Sequence, residues 1–221
     1  MDGNRRWAKQ KGLPAAAGHL HGAEALIRVV NAASKMGIRI VTAYAFSTEN
    51  WRRSSTEISM LMRLFRRYLR GQMGAMTKEG VRLRVIGDRS GLPESLRETI
   101  DEVERATAGG EVIDLVIALN YGGRDEIRRA VRAVVKECLA GNLREEEVSE
   151  EVIGRHLDTA SWRDPELVIR TGGERRISNF LLWQISYAEV YISDVLWPDF
   201  NEEELARAVV DFQRRERRVG G

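Results

Sequence analysis

Apolar runs of strand length recur along this chain, each followed by a segment of helical periodicity. That alternation restricts the fold more than any other feature. IRIVTAYAF (38–46) and EVIDLVIALN (111–120) are nearly continuous in apolar residues, VRLRVIG (81–87) alternates, and ELVIRTGG (166–173) runs into a glycine turn. The segments EISMLMRLFRRYLR (57–70), PESLRETIDEVERATA (93–108), GGRDEIRRAVRAVVKECLAG (122–141) and NEEELARAVVDFQRRERR (201–218) read as helices. Strands alternating with helices predict an α/β fold with a mostly parallel central sheet surrounded by helices. No repeat or linker interrupts the 221 residues, so we expect a single domain over 1–221. In such sheets ligands sit beyond the carboxyl ends of the strands. The loops to inspect are therefore FSTENWRR (46–53), NYGGR (120–124) and RTGGERRISN (170–179).

Charge and cysteine usage remove some functions. Lys+Arg (35) and Asp+Glu (33) leave a net charge of +2, which gives no general electrostatic case for nucleic acid. Anion binding must come from local arginine clusters. The single cysteine, Cys138, excludes an intrachain disulfide and a Cys-rich zinc site, and fits a reducing cytosol. No run reaches the roughly 18 apolar residues of a membrane span.

Five constellations carry chemistry. DGNRR (2–6) sets Asp2, a hard oxygen ligand suited to Mg²⁺, beside Gly3 and the donors Asn4 and Arg6. Taken alone, it reads first as a solvated turn. RTGGERRISN places Arg170, Arg176 and Ser178 around a glycine pair before an apolar helix. A guanidinium fork there would hold phosphate oxygens, with helix-start N–H groups adding to it. The same residues would also serve as an ordinary charged turn. Neither GxxxxGK[ST] nor GxGxxG occurs. FSTENWRR crowds Ser47, Glu49, Asn50, Trp51 and Arg53 at one strand exit, which suits a substrate site, while SSTE (54–57) reads as a capping box. Glu189 lies in the apolar stretch SYAEVYISDVLWPDF (186–200), either paired or metal-bound, or turned to water at a helix end. His19 and His21 lack further ligands at zinc spacing, which leaves His19 as a diphosphate donor or a capping residue. Two lone acids, several arginines and apolar helices together describe a site for a Mg²⁺-diphosphate with an apolar tail.

MDGNRRWA (1–8), GHLHG (18–22), YAFSTENWRR (44–53), RLRVIGD (82–88), NYGGR (120–124), RTGGERRISNFLLWQISYAEVYISDVLWPDF (170–200) and RERRVGG (215–221) carry a further signal. Through them the chain resembles the cis-prenyltransferases of the undecaprenyl diphosphate synthase type, essentially end to end. The resemblance implies a cis-prenyltransferase fold with an apolar tunnel, a homodimer and a Mg²⁺ cofactor. It implies condensation of isopentenyl diphosphate onto an allylic diphosphate, usually farnesyl diphosphate, giving a long polyprenyl diphosphate such as the undecaprenyl carrier lipid of cell-wall synthesis. It implies a cytoplasmic protein with transient peripheral contact at the inner face of the membrane for product release.

By position, the resemblance makes Asp2, Asn4 and Asn50 catalytic, and Asp2 and Glu189 the metal-linked acids. Gly3, Asn4, Arg6 and His19 fall around the allylic diphosphate, and Trp7 is a further substrate-binding residue. Arg170, Arg176 and Ser178 fall at the homoallylic diphosphate, and Phe46, Ser47, Glu49, Trp51 and Arg53 in the loop over the substrates. Arg218 and Gly220 belong to a motif that reaches the partner subunit's site. Arginine and Mg²⁺ would stabilise charge developing on the leaving diphosphate. The proton lost would go to Asp2 or to a diphosphate oxygen beside Asn4. Leu61, Leu64, Phe65, Tyr68, Ile86, Ile113 and Leu115 are candidates for tunnel wall or for plain core, and small Ala45 would permit a long product. The DDxxD pairs of the trans-type synthases are absent.

Two departures stand out. Ala15 occupies a position where the family usually has arginine, so one diphosphate contact is lost or taken over by Lys11 or Arg5. The family also has a short strand just before MDGN. Either residues upstream of Met1 supply it, or Asp2 hangs on a free, frayed end. A non-catalytic accessory subunit of the same fold is the alternative function, although such a protein would be expected to lose Asp2 or the RTGGERRIS residues. An RNA- or phosphate-binding domain fits poorly with the charge balance.

Overall fold

The computed structural model describes residues 1–215. Three parallel strands form one sheet in the order β1–β3–β2: β1 (Ile40–Ser47), β2 (Val81–Ile86) and β3 (Ile113–Tyr121). β3 is buried along its whole length, as its near-continuous apolar sequence requires of a central parallel strand. Two further strands, β4 (Leu167–Arg170) and β5 (Glu189–Ile192), pair in parallel as a second sheet.

The helices are α1 (Asn4–Gln10), α2 (Ala15–Lys35), α3 (Ser55–Lys78), α4 (Glu94–Ala106), α5 (Gly123–Leu139), α6 (Glu150–Arg155) and α7 (Glu202–Arg214). α3 and α4 are the crossovers between the parallel strands. α3 starts where SSTE predicts, with Ser54 accepting a hydrogen bond from the Glu57 amide. The main core packs one sheet face with Leu83, Leu96, Ile100, Val103 and Phe200, while Ile86, Val116, Ala118, Tyr121 and Leu181 pack the other.

Periodicity locates the first four strands and the helices α3, α4, α5 and α7, and all strand pairings are parallel as expected. α1, α2, α6 and β5 are additions. The helix expected after Ser178 does not form. Ser178, Asn179 and Leu181 all take positive φ, at 54°, 64° and 45°, and left-handed residues cannot continue a right-handed helix. A bent turn replaces it, so no helix terminus stands behind the arginines.

Instead of one continuous sheet, the structure holds two, separated by a cavity of about 930 Å³. Every residue of β1 and of β4 lines it. Successive strand residues point to opposite faces, so the cavity meets both strands edge-on. Met1 lies in its wall.

Candidate active site

Asp2 is not frayed. Its amide donates to Thr171 Oγ1 at 2.8 Å, and its carbonyl accepts from Thr171 Oγ1 at 2.9 Å and from the Trp197 amide at 2.9 Å. The next residue turns the chain into α1. Gly3 sits at φ 108°, and a Cβ there would come within 2.8 Å of Leu196 Cδ2. Two glycines of GHLHG let α2 close on α1. A Cβ on Gly18 would fall 2.0 Å from the Asn4 carbonyl oxygen, and one on Gly22 would fall 2.3 Å from Asn4 Oδ1. Asn4 Oδ1 is left buried with no hydrogen-bond partner among the described residues, beside the cavity.

Arg170 is the centre of the cluster. Its Nη2 donates to Asp2 Oδ2 at 3.1 Å, and its Nη1 to Ser178 Oγ at 2.9 Å and to the Arg176 carbonyl. Burial alone would raise the Asp2 pKa, but the hydrogen bond and charge of Arg170, the Gly3 amide and the chain's amino terminus together hold the carboxyl below its ordinary value. Arg6 stands between two acids, 3.7 Å from Asp2 Oδ1 and 3.5 Å from Glu174 Oε1. Arg176 is exposed and pairs with Glu174 at 2.6 Å.

Across the cavity mouth, the loop after β1 caps itself. Asn50 Oδ1 accepts from the Ser47 amide at 3.2 Å, and the Ser47 side chain accepts from the Asn50 amide. Glu49 accepts from Asn179 Nδ2 at 2.8 Å. Arg53 bonds Glu57 at 3.1 Å, and His19 Nε2 lies 4.0 Å from the same carboxylate. Burial and the charge of Arg53 lower the His19 pKa, with Glu57 opposing. The His19 ring therefore favours its neutral form, and its buried Nε2 has no hydrogen bond among the described residues.

Asp2, Asn4, His19, Phe46, Ser47, Glu49, Asn50, Arg53, Arg170, Arg176 and Ser178, all expected at the site, line this one cavity. Part of the remaining wall is apolar, built by Leu26, Val29 and Ala33 of α2, Val41 and Ala43 of β1, and Val209 of α7, while Arg39, Arg163, Asp164, Glu166, Gln184 and Gln213 also face the cavity. Of the tunnel candidates, Leu61 and Ala45 line it. Ile113 and Leu115 belong to the main core, with Phe65 packed against it, and Ile86 lies in the opposite cluster. Tyr68 donates its hydroxyl to the Ala23 carbonyl at 2.5 Å, and Leu64 is half-buried away from the cavity.

Other expected residues sit elsewhere. Trp7 is buried against His21, with its indole N–H committed to Asp199 at 2.8 Å. Trp51 packs on Phe46 and donates to Asn120 Oδ1 at 2.7 Å, outside the cavity lining. Gly3 shapes the backbone entry to α1. Glu189 opens β5, paired in register with Leu167, whereas Arg170 pairs with Ile192. That puts it about 10 Å along the strand from the cluster. Its carboxylate bonds Arg215 at 2.7 Å. Ala15 is the first residue of α2 and exposed. Arg218 and Gly220 lie outside the described residues.

The donors suit a Mg²⁺ that arrives on a diphosphate better than a closed protein cage. Mg²⁺ takes one or two carboxylates and completes its shell with water and phosphate. Asp2 offers one half-exposed, ionised carboxylate, and no group of three His, Cys, Asp or Glu converges among the described residues.

Sequence reading missed Thr171, Glu174, Glu57 and Asn179. Thr171 and Glu174 lie inside the quoted RTGGE block. Arg53 and Glu57 carried a legible signal, their i,i+4 spacing. Nothing in the sequence pairs Asn179 with Glu49.

A family model described as "Putative undecaprenyl diphosphate synthase" matches residues 1–220. An isoprenyl transferase of Agrobacterium fabrum is 46% identical over 220 residues, covering 100% of this chain and 89% of that protein. One of Bacillus cereus is 47% identical over 221 residues, covering 100% and 86%. Among solved structures, lavandulyl diphosphate synthase from Lavandula x intermedia, in complex with dimethylallyl diphosphate, superposes with a TM-score of 0.97 at 34% identity, covering 100% of this chain and 95% of that one. A probable undecaprenyl diphosphate synthase from Campylobacter jejuni gives 0.82 at 37% identity, covering 91% and 92%.

Proposed function

The chain belongs to the undecaprenyl diphosphate synthase family of isoprenyl transferases, and from that premise we propose that it condenses isopentenyl diphosphate onto an allylic diphosphate, farnesyl diphosphate in the first instance, with Mg²⁺, to build a long polyprenyl diphosphate. One observation carries the reading. A single cavity gathers Asp2, Arg53, Arg170 and Arg176 and is also lined by an apolar stretch from α2, β1 and α7. That is the polarity of a diphosphate head on a hydrocarbon tail. The lavandulyl enzyme's dimethylallyl diphosphate, an allylic diphosphate bound in the same fold, supports it.

In the reaction the allylic C–O bond breaks and diphosphate leaves. The double bond of isopentenyl diphosphate supplies the electron pair for the new C–C bond, and a proton is then lost. Negative charge grows on the leaving diphosphate, where fixed guanidinium groups lower the barrier without reorganising. Arg170 meets this need, because Asp2, Ser178 and the Arg176 carbonyl already hold its plane. Asp2 would hold the Mg²⁺, which supplies further charge neutralisation at the diphosphate oxygens. Neutral His19, whose buried Nε2 has no partner among the described residues, can donate to the head group in its Nε2–H tautomer, whereas Asn4 would have to donate through its amide nitrogen, since its unpartnered Oδ1 only accepts. Asp2, or a diphosphate oxygen beside Asn4, takes the proton. The walls from α2, β1 and α7 take the growing chain. We further propose a cytoplasmic homodimer that touches the membrane to release product. No helix among the described residues is long and apolar enough to cross a membrane.

The test is turnover of farnesyl diphosphate with labelled isopentenyl diphosphate, with product lengths resolved, in Mg²⁺, in chelator, and with Asp2→Ala. Long Mg²⁺-dependent products that vanish in the variant are expected. Absence of any product from this chain and from one extended ahead of Met1 would favour a non-catalytic accessory subunit.

A further inference from the structure

Asn179 joins the loops that follow β1, β3 and β4. Its Nδ2 donates to Glu49 Oε1 at 2.8 Å, in the loop after β1. Its Oδ1 accepts from the Arg124 amide at 2.9 Å, and its carbonyl from the Gly123 amide at 2.7 Å, both just after β3. Its own loop follows β4, where the preceding residue, Ser178, accepts from Arg170. The junction is built tightly. A Cβ on Gly122 would fall 2.7 Å from Asn179 Nδ2 and 2.7 Å from Thr48 Oγ1. Asn179 takes φ 64°, a conformation asparagine tolerates better than most residues.

Every polar atom of the Asn179 side chain is thus engaged by protein, and the residue is absent from the cavity lining. That leaves its side chain no free polar atom to offer a substrate. Asn179 does connect the guanidinium clamp of Arg170 and Ser178 with the self-capped segment of Ser47, Asn50 and Arg53. We propose that Asn179 is a positioning residue that couples the two anion-binding loops, so that a diphosphate held by one loop favours the geometry in which the other binds its own. The proposal rests on the two-diphosphate reading above. Coupling of this kind is a reciprocal change in affinity. With Asn179 lost, each loop would keep its own donors but lose its link to the other.

The experiment measures the dissociation constant of isopentenyl diphosphate with and without a slowly ionising thiodiphosphate analogue of farnesyl diphosphate. It uses the full chain, Asn179→Ala, Asn179→Asp, and the double variant Asn179→Asp/Glu49→Gln. The wild type is expected to bind about fivefold or more tightly when the analogue is present, a typical size for coupling between sites. In N179A the factor falls toward one, while each ligand alone binds within about threefold of wild type. N179D sets a carboxylate against Glu49 and does the same. The double variant restores the factor, because the amide introduced by Glu49→Gln can donate to the new carboxylate. Wild type that binds neither diphosphate would overturn the functional reading itself. Wild type that binds both without coupling, or N179D that retains the coupling, would overturn the inference alone. So would a double variant no better than N179D.

Discussion

Arg170 Nη2 lies 3.1 Å from Asp2 Oδ2, joining residues 168 positions apart in the wall of one cavity. The pair holds the acid ionised, and the acid holds the guanidinium in place. The same guanidinium reaches Ser178 through its other terminal nitrogen. A lysine offers one compact charge in place of that fork.

Arg170→Ala should therefore lower kcat/KM by about a hundredfold or more, the scale of losing a fixed donor to developing charge. Arg170→Lys should fall between it and wild type. Steady-state kinetics with a thermal melt alongside checks both, since a large drop in the melting temperature would assign the loss to folding.

Gly18 and Gly22 are predicted to resist alanine for different reasons. In Gly18→Ala the new methyl meets the Asn4 backbone, which cannot rotate away, and the cost should reach about 3 kcal/mol or more. In Gly22→Ala it meets the Asn4 side chain, which can swing aside at the expense of its place by the cavity. That variant should fold with a smaller penalty and lose activity. Urea titration and turnover, measured on the same samples, separate the two effects.

His19 predicts an acid limb in stability. Burial and Arg53 lower its pKa in the folded chain from the ordinary 6.5. The unfolded chain then binds the proton more readily. Stability is retained above that value and falls as pH drops below it. His19→Gln removes this term. Denaturant titrations between about pH 5 and pH 8 should show a steeper acid-side decline for wild type than for the variant. Parallel curves would refute the assignment.

Glu126 ties β3 to the turn after Ser178. It accepts from the Tyr121 hydroxyl, from Gln184 Nε2 at 3.0 Å and from the Asp158 amide at 2.9 Å. Burial pushes its carboxyl above the ordinary range, with Tyr121 and Gln184 opposing. Glu126→Ala leaves the Tyr121 hydroxyl and the Asp158 amide without their acceptor, while Gln184 Nε2 keeps only Thr159, and should cost about 3 kcal/mol. Glu126→Gln should cost less, because its amide can donate to Gln184 Oε1, a buried acceptor without a partner among the described residues. Equal destabilisation by both would show that packing dominates the site.

Amino-acid order alone dictates the α/β class, the parallel pairing, the loops after β1, β3 and β4 and about half of the cavity-lining polar residues. Periodicity of apolar residues reports which face of an element is buried, and that is a local property. The motif resemblance added the family and the chemistry expected of each position. What depends on contacts between distant segments was settled by the folded arrangement. It anchored Asp2 through Thr171 and Trp197, turned Trp7 into packing, and set Glu189 against Arg215, about 10 Å of strand away from Arg170. It also replaced the helix expected after Ser178 with left-handed residues whose hydrogen bonds go to other loops. A side chain's partner is chosen by the fold's closure in three dimensions, and residues more than a hundred positions apart, such as Glu49 and Asn179, leave no periodic trace of meeting.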